Sequence, residues 1–334
     1  MSEVSAPSRY HVADGPPRTV ADFVLRWETI LVALLILTVV VNATLSPYFL
    51  DVDNLLDATF NFSEKAMIAL GMALLMIARD IDLSVAAIVA LVSLLMGLSA
   101  AAGANTGALL VVALATGAAC GAINGALVTG LALPAIVVTI GTMSLFRGIA
   151  QVALGDQALT KYPNALLSIG QGYVGAGVPA SFATFLALAL GIGFVLHKTP
   201  FGRRIFAIGA NPEAARFSGI GVKRIRFSLF VLSGLLSGLA AFFLTGRIGS
   251  TRPNIAQGWE LEAVTMVVLG GVSIAGGSGT IPGVVLAVFV LGLTTFGMSL
   301  MNVPGIVINV LLGLLLIAVL AAPIVARRWL TAGR

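Results

Sequence analysis

The chain has 334 residues, of which 58% are hydrophobic and only 10% are charged, and its mean hydropathy is +1.05. Because soluble domains carry about 25% charged residues, this composition excludes an ordinary soluble fold. The net charge of +5 does not indicate nucleic-acid binding, since most basic residues lie where the positive-inside rule places them. The single cysteine, Cys120, excludes a disulfide framework and a zinc cluster within the chain.

Long apolar segments dominate the chain and predict its secondary structure. A membrane-spanning helix needs about 20 mostly apolar residues, or about 17 at the short end. Ten segments approach this length, and in chain order they are 27–45, 60–79, 84–102, 108–131, 134–154, 180–196, 226–246, 263–276, 282–300 and 305–325. The eighth is short and ends in glycines, so a tilted or re-entrant piece is the alternative to a full span. The sequence therefore predicts an all-α polytopic membrane protein with about ten transmembrane helices.

The basic residues orient these predicted spans. With the N-terminus in the cytosol, the inner segments contain 14 of the 19 Lys and Arg residues. This excess of Lys and Arg on the cytosolic side is found at both termini and at the loop 197–226 after the sixth span. Residues 1–26 lack the apolar stretch of a signal peptide and are interpreted as a cytosolic tail. We expect a transmembrane domain over 27–325 and a second cytosolic tail over 326–334.

Polar side chains at membrane depth are costly, so each is a functional candidate. Scattered amides and a few charges fit a pathway for a neutral polar solute better than an ion channel or a proton pump. The candidates for this pathway are Asn61, Glu64, Asn124, Arg147, Gln151, Glu260, Glu262 and Asn309.

Several of these candidates have a structural alternative. Glu64 and Lys65 are equally compatible with snorkelling to the membrane surface. Asn124 lies in a pattern of small residues, which favours an interhelical hydrogen bond over contact with a solute. Arg147 is the most costly of the group, and it either pairs with a partner or faces a wet pathway. Asp82 or Ser84 is predicted to cap the third span by accepting backbone N–H bonds, and the pattern leaves the neighbouring Asp80 unexplained.

The sequence does not match the known motifs for nucleotide binding, metal binding or hydrolysis. The segment 271–278 has the outline of a phosphate-binding P-loop, but Gly277 stands where the lysine is required, so nucleotide binding by this chain is rejected. Metal-ligand spacings and hydrolase motifs are missing from the sequence. We therefore expect a protein that is not an enzyme and that holds no metal or cofactor. Energy for uphill transport must then come from an ion gradient or from a partner.

The predicted cytosolic loop 197–226 is rich in Lys and Arg and contains a single acid. Asn211 is a good N-cap residue, and Glu213 places a negative charge in the first helical turn, where the helix dipole favours it. Gly219 or Gly221 then ends the helix. A helix of about two turns is marginal in water, so it must dock on a partner. The alternative is an interfacial helix held by anionic membrane lipid.

This loop carries a resemblance to a known family. The pattern Glu213-Ala214-Ala215-x-x-x-Gly219 resembles the cytosolic coupling motif of bacterial ABC importer permeases. The preceding pattern at 201–211, FGRRIFAIGAN, is similar to the ribose/xylose/arabinose-type branch of these permeases. Further similar stretches lie at 81–85, 121–125, 260–264 and 268–271, and the resemblance runs in order from about residue 30 to 325. A departure occurs at 78–80, where Ala-Arg-Asp replaces the family's small residues or Gly-Glu pair.

The resemblance implies a permease subunit of a bacterial importer with a type II-like ABC permease fold, in the inner membrane and with both termini cytosolic. The stretches 46–50 and 60–66 look most like rhamnose-type permeases, and autoinducer-2 permeases are close to them. The implied partners are a cytosolic ABC ATPase, a periplasmic sugar-binding protein and a second permease subunit, identical or paralogous. The residues implied to couple to the ATPase are Glu213, Ala214, Ala215 and Gly219.

An ion-coupled secondary transporter of a small polar solute is the competing hypothesis. It requires a membrane acid that titrates or that binds a cation, and Asp82 or Glu64 would have to serve. The short helix at 211–219 would then have no purpose.

Overall fold

A computed structural model describes residues 27–175 and 177–332, so the predicted tail 1–26 lies outside the described residues. The described chain is predominantly helical. Its helices are α1 Trp27–Leu45, α2 Val52–Ile77, α3 Val85–Ala101, α4 Thr106–Gly130, α5 Ala135–Leu154, α6 Asn164–Gly170, α7 Ala180–Lys198, α8 Pro200–Ala210, α9 Pro212–Phe217, α10 Val222–Ile248, α11 Trp259–Leu269, α12 Ile281–Leu300 and α13 Gly305–Ala332. A short antiparallel hairpin joins β1 Tyr173–Val174 to β2 Val178–Pro179.

The prediction of about ten spans is confirmed only in part. Seven described helices, α1, α2, α4, α5, α7, α10 and α12, are long and apolar enough to cross a membrane. Helix α3 has 17 residues and is apolar but shorter. The helix α13 continues to Ala332, so the predicted C-terminal tail is helical from 326 to 332, and residues 333–334 lie outside the described part.

The eighth predicted segment is a broken span. Helix α11 has 11 residues, which corresponds to about 16 Å and roughly half of the hydrocarbon core. Its first turn lies beside Lys65 within α2, where the Lys65 ammonium contacts the Glu262 carboxylate. At its other end, Trp27 at the start of α1 donates a hydrogen bond to the carbonyl of Leu269. This segment is therefore shorter than a full span, which excludes a full helix there and leaves the tilted or re-entrant alternative.

The centre of the bundle consists of the second half of α2 and the first half of α3. Residues 66–78 and 85–94 are all buried. A helix that is apolar on every side is stable only when other apolar elements surround it. The outer helices instead expose large apolar side chains such as Val152, Leu190 and Phe194, as expected for surfaces that face lipid.

Helices α4 and α10 pack at unusually short distance because glycines line their contact. A methyl group built on Gly117 would lie 2.2 Å from the carbonyl oxygen of Gly234, and one on Gly121 would lie 2.3 Å from that of Phe230. The opposite residues are equally restricted, since a methyl group on Gly238 would lie 2.4 Å from the carbonyl oxygen of Ala113. Small residues of this kind let helix backbones approach in a membrane.

The predicted loop 197–226 is almost entirely helical, because α7 ends only at Lys198 and α10 begins at Val222. Helix α8 was not predicted. Its glycines allow it to lie against other backbone: methyl groups built on Gly202 and Gly209 would each lie 1.8 Å from a carbonyl oxygen, that of Leu196 and that of Ile77 respectively. The glycines of the 201–211 pattern thus hold α8 against the transmembrane body.

The segment after α5, which the sequence predicts to face outward, covers the far end of α3. Leu159 and Thr251 form an isolated antiparallel bridge, and the Tyr162 and Thr251 hydroxyls lie 2.6 Å apart. Leu159 and Tyr162 both lie against Gly97. Burial at this position raises the pKa of the Tyr162 hydroxyl.

Candidate functional site

Two adjacent residues of α2 with opposite charges bind two different elements. The Arg247 Nε atom at the end of α10 donates to Glu64 Oε1 at 2.8 Å. Lys65 Nζ donates to Glu262 Oε2 of α11 at 2.5 Å and lies 5.3 Å from the centre of the Trp259 ring. The pairs therefore join α2 to both α10 and the broken span.

Burial distinguishes these pairs from surface ion pairs. Glu64 is fully buried, and the side chains of Arg247, Lys65 and Glu262 are 23%, 20% and 16% exposed. Taking charges out of water is costly unless each has a partner. The snorkelling alternative for Glu64 and Lys65 is therefore wrong, since both side chains bind partners on other helices.

A polar cavity of about 320 Å³ adjoins the two ion pairs. Three predicted pathway residues, Asn61, Glu262 and Asn309, line it together. Its remaining lining comes from Lys65, Arg247, Trp259, Thr295, Phe296, Ser299, Gly305, Ile308 and Leu312. The volume lies in the range of small-molecule sites. Its charged side chains are each paired with an opposite charge, Lys65 with Glu262 and Arg247 with the buried Glu64 behind it. The cavity and these partners together carry no net charge, and the lining offers hydrogen-bonding groups.

Arg147 and Gln151 lie elsewhere, on α5. The Arg147 guanidinium donates to the carbonyl oxygens of Ile255 at 2.6 Å, Ala86 at 3.2 Å and Pro253 at 3.4 Å. Gln151 is exposed and lines a surface depression together with the segment after α5. Arg147 therefore ties the non-helical segment before α11 to the centre of the bundle and to α5.

Glu260 is close enough to Arg147 for an electrostatic interaction. It lies in the first turn of α11 and is partly buried. Glu260 thus lies near Arg147, whereas Glu262, two residues further on, lines the polar cavity. The two predicted pathway residues therefore belong to different polar regions, one on either side of the broken span.

The Arg147→Ala variant is expected to be less stable by about 1.5–3 kcal/mol, because buried carbonyl groups lose a charged donor. Thermal unfolding of the purified protein measures this loss of stability. A thiol-reactive dye reports the unfolding, because it reacts only when the buried Cys120 becomes exposed. Gln151→Ala, one turn away and exposed, is the matched control and should unfold like the wild type. Normal unfolding of Arg147→Ala combined with lost solute uptake would instead show that Arg147 lines the pathway.

Asn124 is fully buried and faces the start of α3. Its Nδ2 atom donates to Ser84 Oγ at 2.8 Å. Asp82 Oδ1 accepts the backbone N–H of Ser84 at 3.0 Å, and Ser233 of α10 donates to Asp82 Oδ2 at 3.3 Å. The predicted cap is thus made by Asp82, whereas the Ser84 side chain makes no capping hydrogen bond. Asn124 makes the interhelical hydrogen bond that was the alternative to a pathway role.

Asp80, which the sequence pattern left unexplained, forms a two-point ion pair with the first turns of α10. Arg226 donates from Nε to Oδ2 at 2.6 Å and from Nη2 to Oδ1 at 2.5 Å, and Asp80 is 2% exposed. The adjacent Arg79 has a φ of 71° and donates to the carbonyl oxygen of Ala275 at 2.6 Å. The segment 78–80, where the sequence departs from the family pattern, therefore binds both α10 and the loop at Ala275. These contacts join three segments at the basic end of the bundle.

Helix α9 confirms the predicted capping. Asn211 Oδ1 accepts the backbone N–H groups of Glu213 and Ala214, each at 3.0 Å. Gly219 has a φ of 80°, and the N–H of Ile220 returns to the carbonyl oxygen of Ala215 at 3.0 Å, which ends the helix.

The four predicted coupling residues do not share one face. Glu213, Ala214 and Gly219 are exposed, whereas Ala215 is 4% exposed and packs against the protein itself. Ala215 is therefore not part of the free surface of α9, whereas the other three residues are accessible to a partner. Phe217, which sequence reasoning missed, is 89% exposed at the tip of α9.

Comparison with known proteins identifies the family. The family model described as "Branched-chain amino acid transport system / permease component" matches residues 54–320. The chain belongs to this family. As a family member it is a multi-pass membrane permease and a transport component.

The permease is similar over most of its length to characterised relatives. The ribose import permease protein RbsC of Bacillus subtilis (strain 168) is 37% identical over 289 residues, which cover 86% of this chain and 89% of the relative. The autoinducer 2 import system permease protein LsrD of Escherichia coli (strain K12) is 33% identical over 299 residues, covering 88% and 90%. LsrD of Klebsiella pneumoniae is 31% identical over 301 residues, also covering 88% and 90%. No solved structure matches this chain.

The permease contains site residues that the sequence analysis did not select. Arg247 was counted only as a basic residue outside the inner segments, and Lys65 was considered with Glu64 but not selected. Trp259, Thr295 and Ser299 were not noted. A usable signal was the balance of charge, because two acids and two bases, Glu64, Lys65, Arg247 and Glu262, lie within apolar surroundings. Their pairing required knowledge of which helices are neighbours.

Proposed function

We propose that the permease is the transmembrane subunit of a bacterial ABC importer for a monosaccharide. It would form the translocation pathway in the inner membrane with a type II-like arrangement and both termini cytosolic. A second permease subunit, a cytosolic ABC ATPase and a periplasmic sugar-binding protein would complete the importer. Family membership and the names of its relatives, which are import permeases, support this proposal. The structural observation that carries it is the exposed, capped helix α9.

The surface of α9 fits a protein partner. Glu213, Ala214, Arg216 and Phe217 are exposed around a helix too short to be stable by itself. An almost fully exposed aromatic side chain is costly in water and typical of an interface anchor. Exposed basic residues surround it, at Arg203, Arg204, Lys223 and Arg224. The ATPase surface should therefore present an apolar pocket with an acidic rim. Ala215 would act indirectly, by seating α9 on the permease.

Contacts around α8 offer a route from α9 to the pathway. Gly209 at the end of α8 lies against the backbone of both Ile77 and Gly277. The N–H of Gly277 donates to the carbonyl oxygen of Ile77 at 2.9 Å. Asp80, three residues after Ile77, binds Arg226 of α10. A displacement of α8 and α9 would therefore act on the turn that starts the central helix α3.

The charge of the cavity indicates which chemical class of solute it would bind. A charged solute would meet the paired side chains Lys65, Arg247 and Glu262 without a free counter-charge. Hydroxyl groups can donate to carboxylates and accept from guanidinium and ammonium groups without breaking these pairs. The cavity thus favours an uncharged solute with many hydroxyl groups.

The ion-coupled alternative is not favoured by the same contacts. Its two candidate acids are both engaged: Glu64 binds Arg247, and Asp82 accepts hydrogen bonds from Ser84 and Ser233. Binding of a transported ion at either acid would therefore compete with these contacts.

A co-purification experiment tests the proposal. Wild-type permease should retain its ATPase, whereas Glu213→Arg and Phe217→Ala should lose it, the latter by roughly thirtyfold in affinity, as for an interface anchor worth about 2 kcal/mol. Tyr48→Ala removes a similarly exposed aromatic ring that lies outside α9, and it should retain the ATPase. Uptake that continues without any ATPase and collapses with an uncoupler would contradict the importer.

Rhamnose is our proposed sugar, on the basis of the stretches 46–50 and 60–66. The relatives named above import ribose and autoinducer 2, so these compounds are the principal competitors. Uptake of labelled rhamnose by vesicles that contain the complete importer should be reduced by excess unlabelled rhamnose and much less by excess ribose or autoinducer 2. The opposite order would exclude rhamnose while leaving the importer intact, and preference for a charged sugar acid would contradict the neutral cavity.

A further inference from the structure

An apolar groove runs along the membrane-facing side of α7, where this helix meets the start of α12. Its walls are formed by Leu186, Leu190, Gly193, Phe194, Ile281 and Val285. Gly193 leaves space in the groove, since it has no side chain. Even a methyl group built there would lie 3.6 Å from the Ile281 side chain, an ordinary contact distance. Both helices are apolar enough to cross a membrane, so the groove opens toward lipid acyl chains.

The length of the groove matches one leaflet. From Leu186 to Lys198 helix α7 rises about 18 Å, while half of the hydrocarbon core is about 15 Å thick. Leu190 and Phe194 are 76% and 64% exposed along this length. A single extended acyl chain is therefore of suitable length and polarity to cover these side chains.

The polar end of the groove is basic. Lys198 is exposed at the C-terminus of α7, and within the described ranges no ion pair involves it. His197 Nε2 accepts the backbone N–H of Ile281 at 3.2 Å, so this imidazole is already engaged. Glu28, the acid that reaches the start of α12, accepts a hydrogen bond from the Thr280 hydroxyl at 3.0 Å. Lys198 thus offers a positive charge to a ligand at the mouth of the groove.

We propose that this groove binds one anionic phospholipid, with an acyl chain between α7 and α12 and its phosphate at Lys198. The site lies at the basic end of the bundle, where anionic lipids accumulate and each nearby basic residue adds to the attraction. A second copy of this chain fits less well, because a two-fold interface brings the same patch of both subunits together and would oppose Lys198 to like charges. The proposal does not depend on which solute the permease carries.

Native mass spectrometry of the full chain, released from nanodiscs of equal phosphatidylglycerol and phosphatidylethanolamine content with identical acyl chains, tests this site. The wild type should retain one phosphatidylglycerol in preference to phosphatidylethanolamine. Lys198→Glu should lower that retention at least about fivefold, since one basic residue near a membrane surface contributes about that factor. Gly193→Leu should also lower it, because the new side chain fills the groove.

Two matched variants separate the site from general effects. Gly191→Leu adds the same side chain on α7 where nothing lies within 4 Å, and Lys223→Glu makes the same charge reversal on the exposed start of α10. Both should retain phosphatidylglycerol. Equal retention of both lipids, or retention unchanged by Lys198→Glu and Gly193→Leu, would overturn the proposal. Conversion of a dimer to a monomer by Gly193→Leu, with lipid retention unchanged, would overturn it in favour of a subunit interface.

Discussion

Gly117→Leu is expected to destabilise the folded permease by more than about 3 kcal/mol, the upper end for overpacked cores. A single methyl group at this position would already lie 2.2 Å from the carbonyl oxygen of Gly234. The obstacle is backbone, so no rotamer change relieves it, and α4 must separate from α10. Leucine has a higher helix propensity than glycine by roughly 1 kcal/mol, so any loss of stability must come from packing.

The buried thiol of Cys120 provides the measurement. Cys120 lies on α4 one turn from Gly117 and is 3% exposed, so reaction with a thiol-specific dye reports separation of the two helices. Gly130→Leu makes the same change in the same helix where nothing lies within 4 Å, and its dye reaction on heating should resemble that of the wild type. If Gly117→Leu protected Cys120 as well as the wild type does, close packing of α4 on α10 would be wrong.

Arg247→Ala is expected to cost about 3–5 kcal/mol, as for other buried ion pairs that lose one partner. Glu64 is fully buried, and its Oε2 atom already has no hydrogen-bond partner among the described residues. Removal of the guanidinium would leave this carboxylate without its partner, and an unpaired buried charge is costly whether it stays ionised or takes up a proton. The unfolding temperature of the variant should fall, and solute uptake should fall with it because α2 loses this ion pair with α10.

A double variant distinguishes the ion pair from the loss of side-chain volume. Glu64→Gln combined with Arg247→Met keeps the approximate volumes and removes both charges, so it should recover most of the lost stability. Arg252→Ala removes an exposed arginine five residues further on and should have little effect. A double variant as unstable as Arg247→Ala would show that the charges themselves contribute nothing.

Local features were the most predictable from the sequence. Asn211, Glu213 and Gly219 predicted both ends of α9, because caps depend on residues within a few positions of one another. Broken spans are harder: the glycines after Leu269 indicated that the eighth segment was short, but its start beside Lys65 depends on contacts with α2. Helix α8 was missed because its two glycines, Gly202 and Gly209, reduce helix propensity, and packing against Leu196 and Ile77 compensates for this.

Side-chain partners were the least predictable. The sequence made Glu64, Glu262, Asn124 and Arg147 candidates for one pathway, since each is polar within an apolar surrounding. The structure brings Asn61, Glu262 and Asn309 together at the cavity and places Asn124 and Arg147 at other contacts. It also gives Asp80 a partner, Arg226, that lies 146 positions away in the chain.

The sequence by itself determined that this is a helical membrane protein with a short capped helix at its basic end, because hydropathy, charge bias and capping act over a few or a few tens of residues. Only the tertiary structure decided which charges are paired, which face of α9 is free, and that Phe217 rather than Ala215 is exposed there. The physical reason is that ion pairs and close glycine contacts join helices distant in the chain, and a linear pattern carries no distance between such helices.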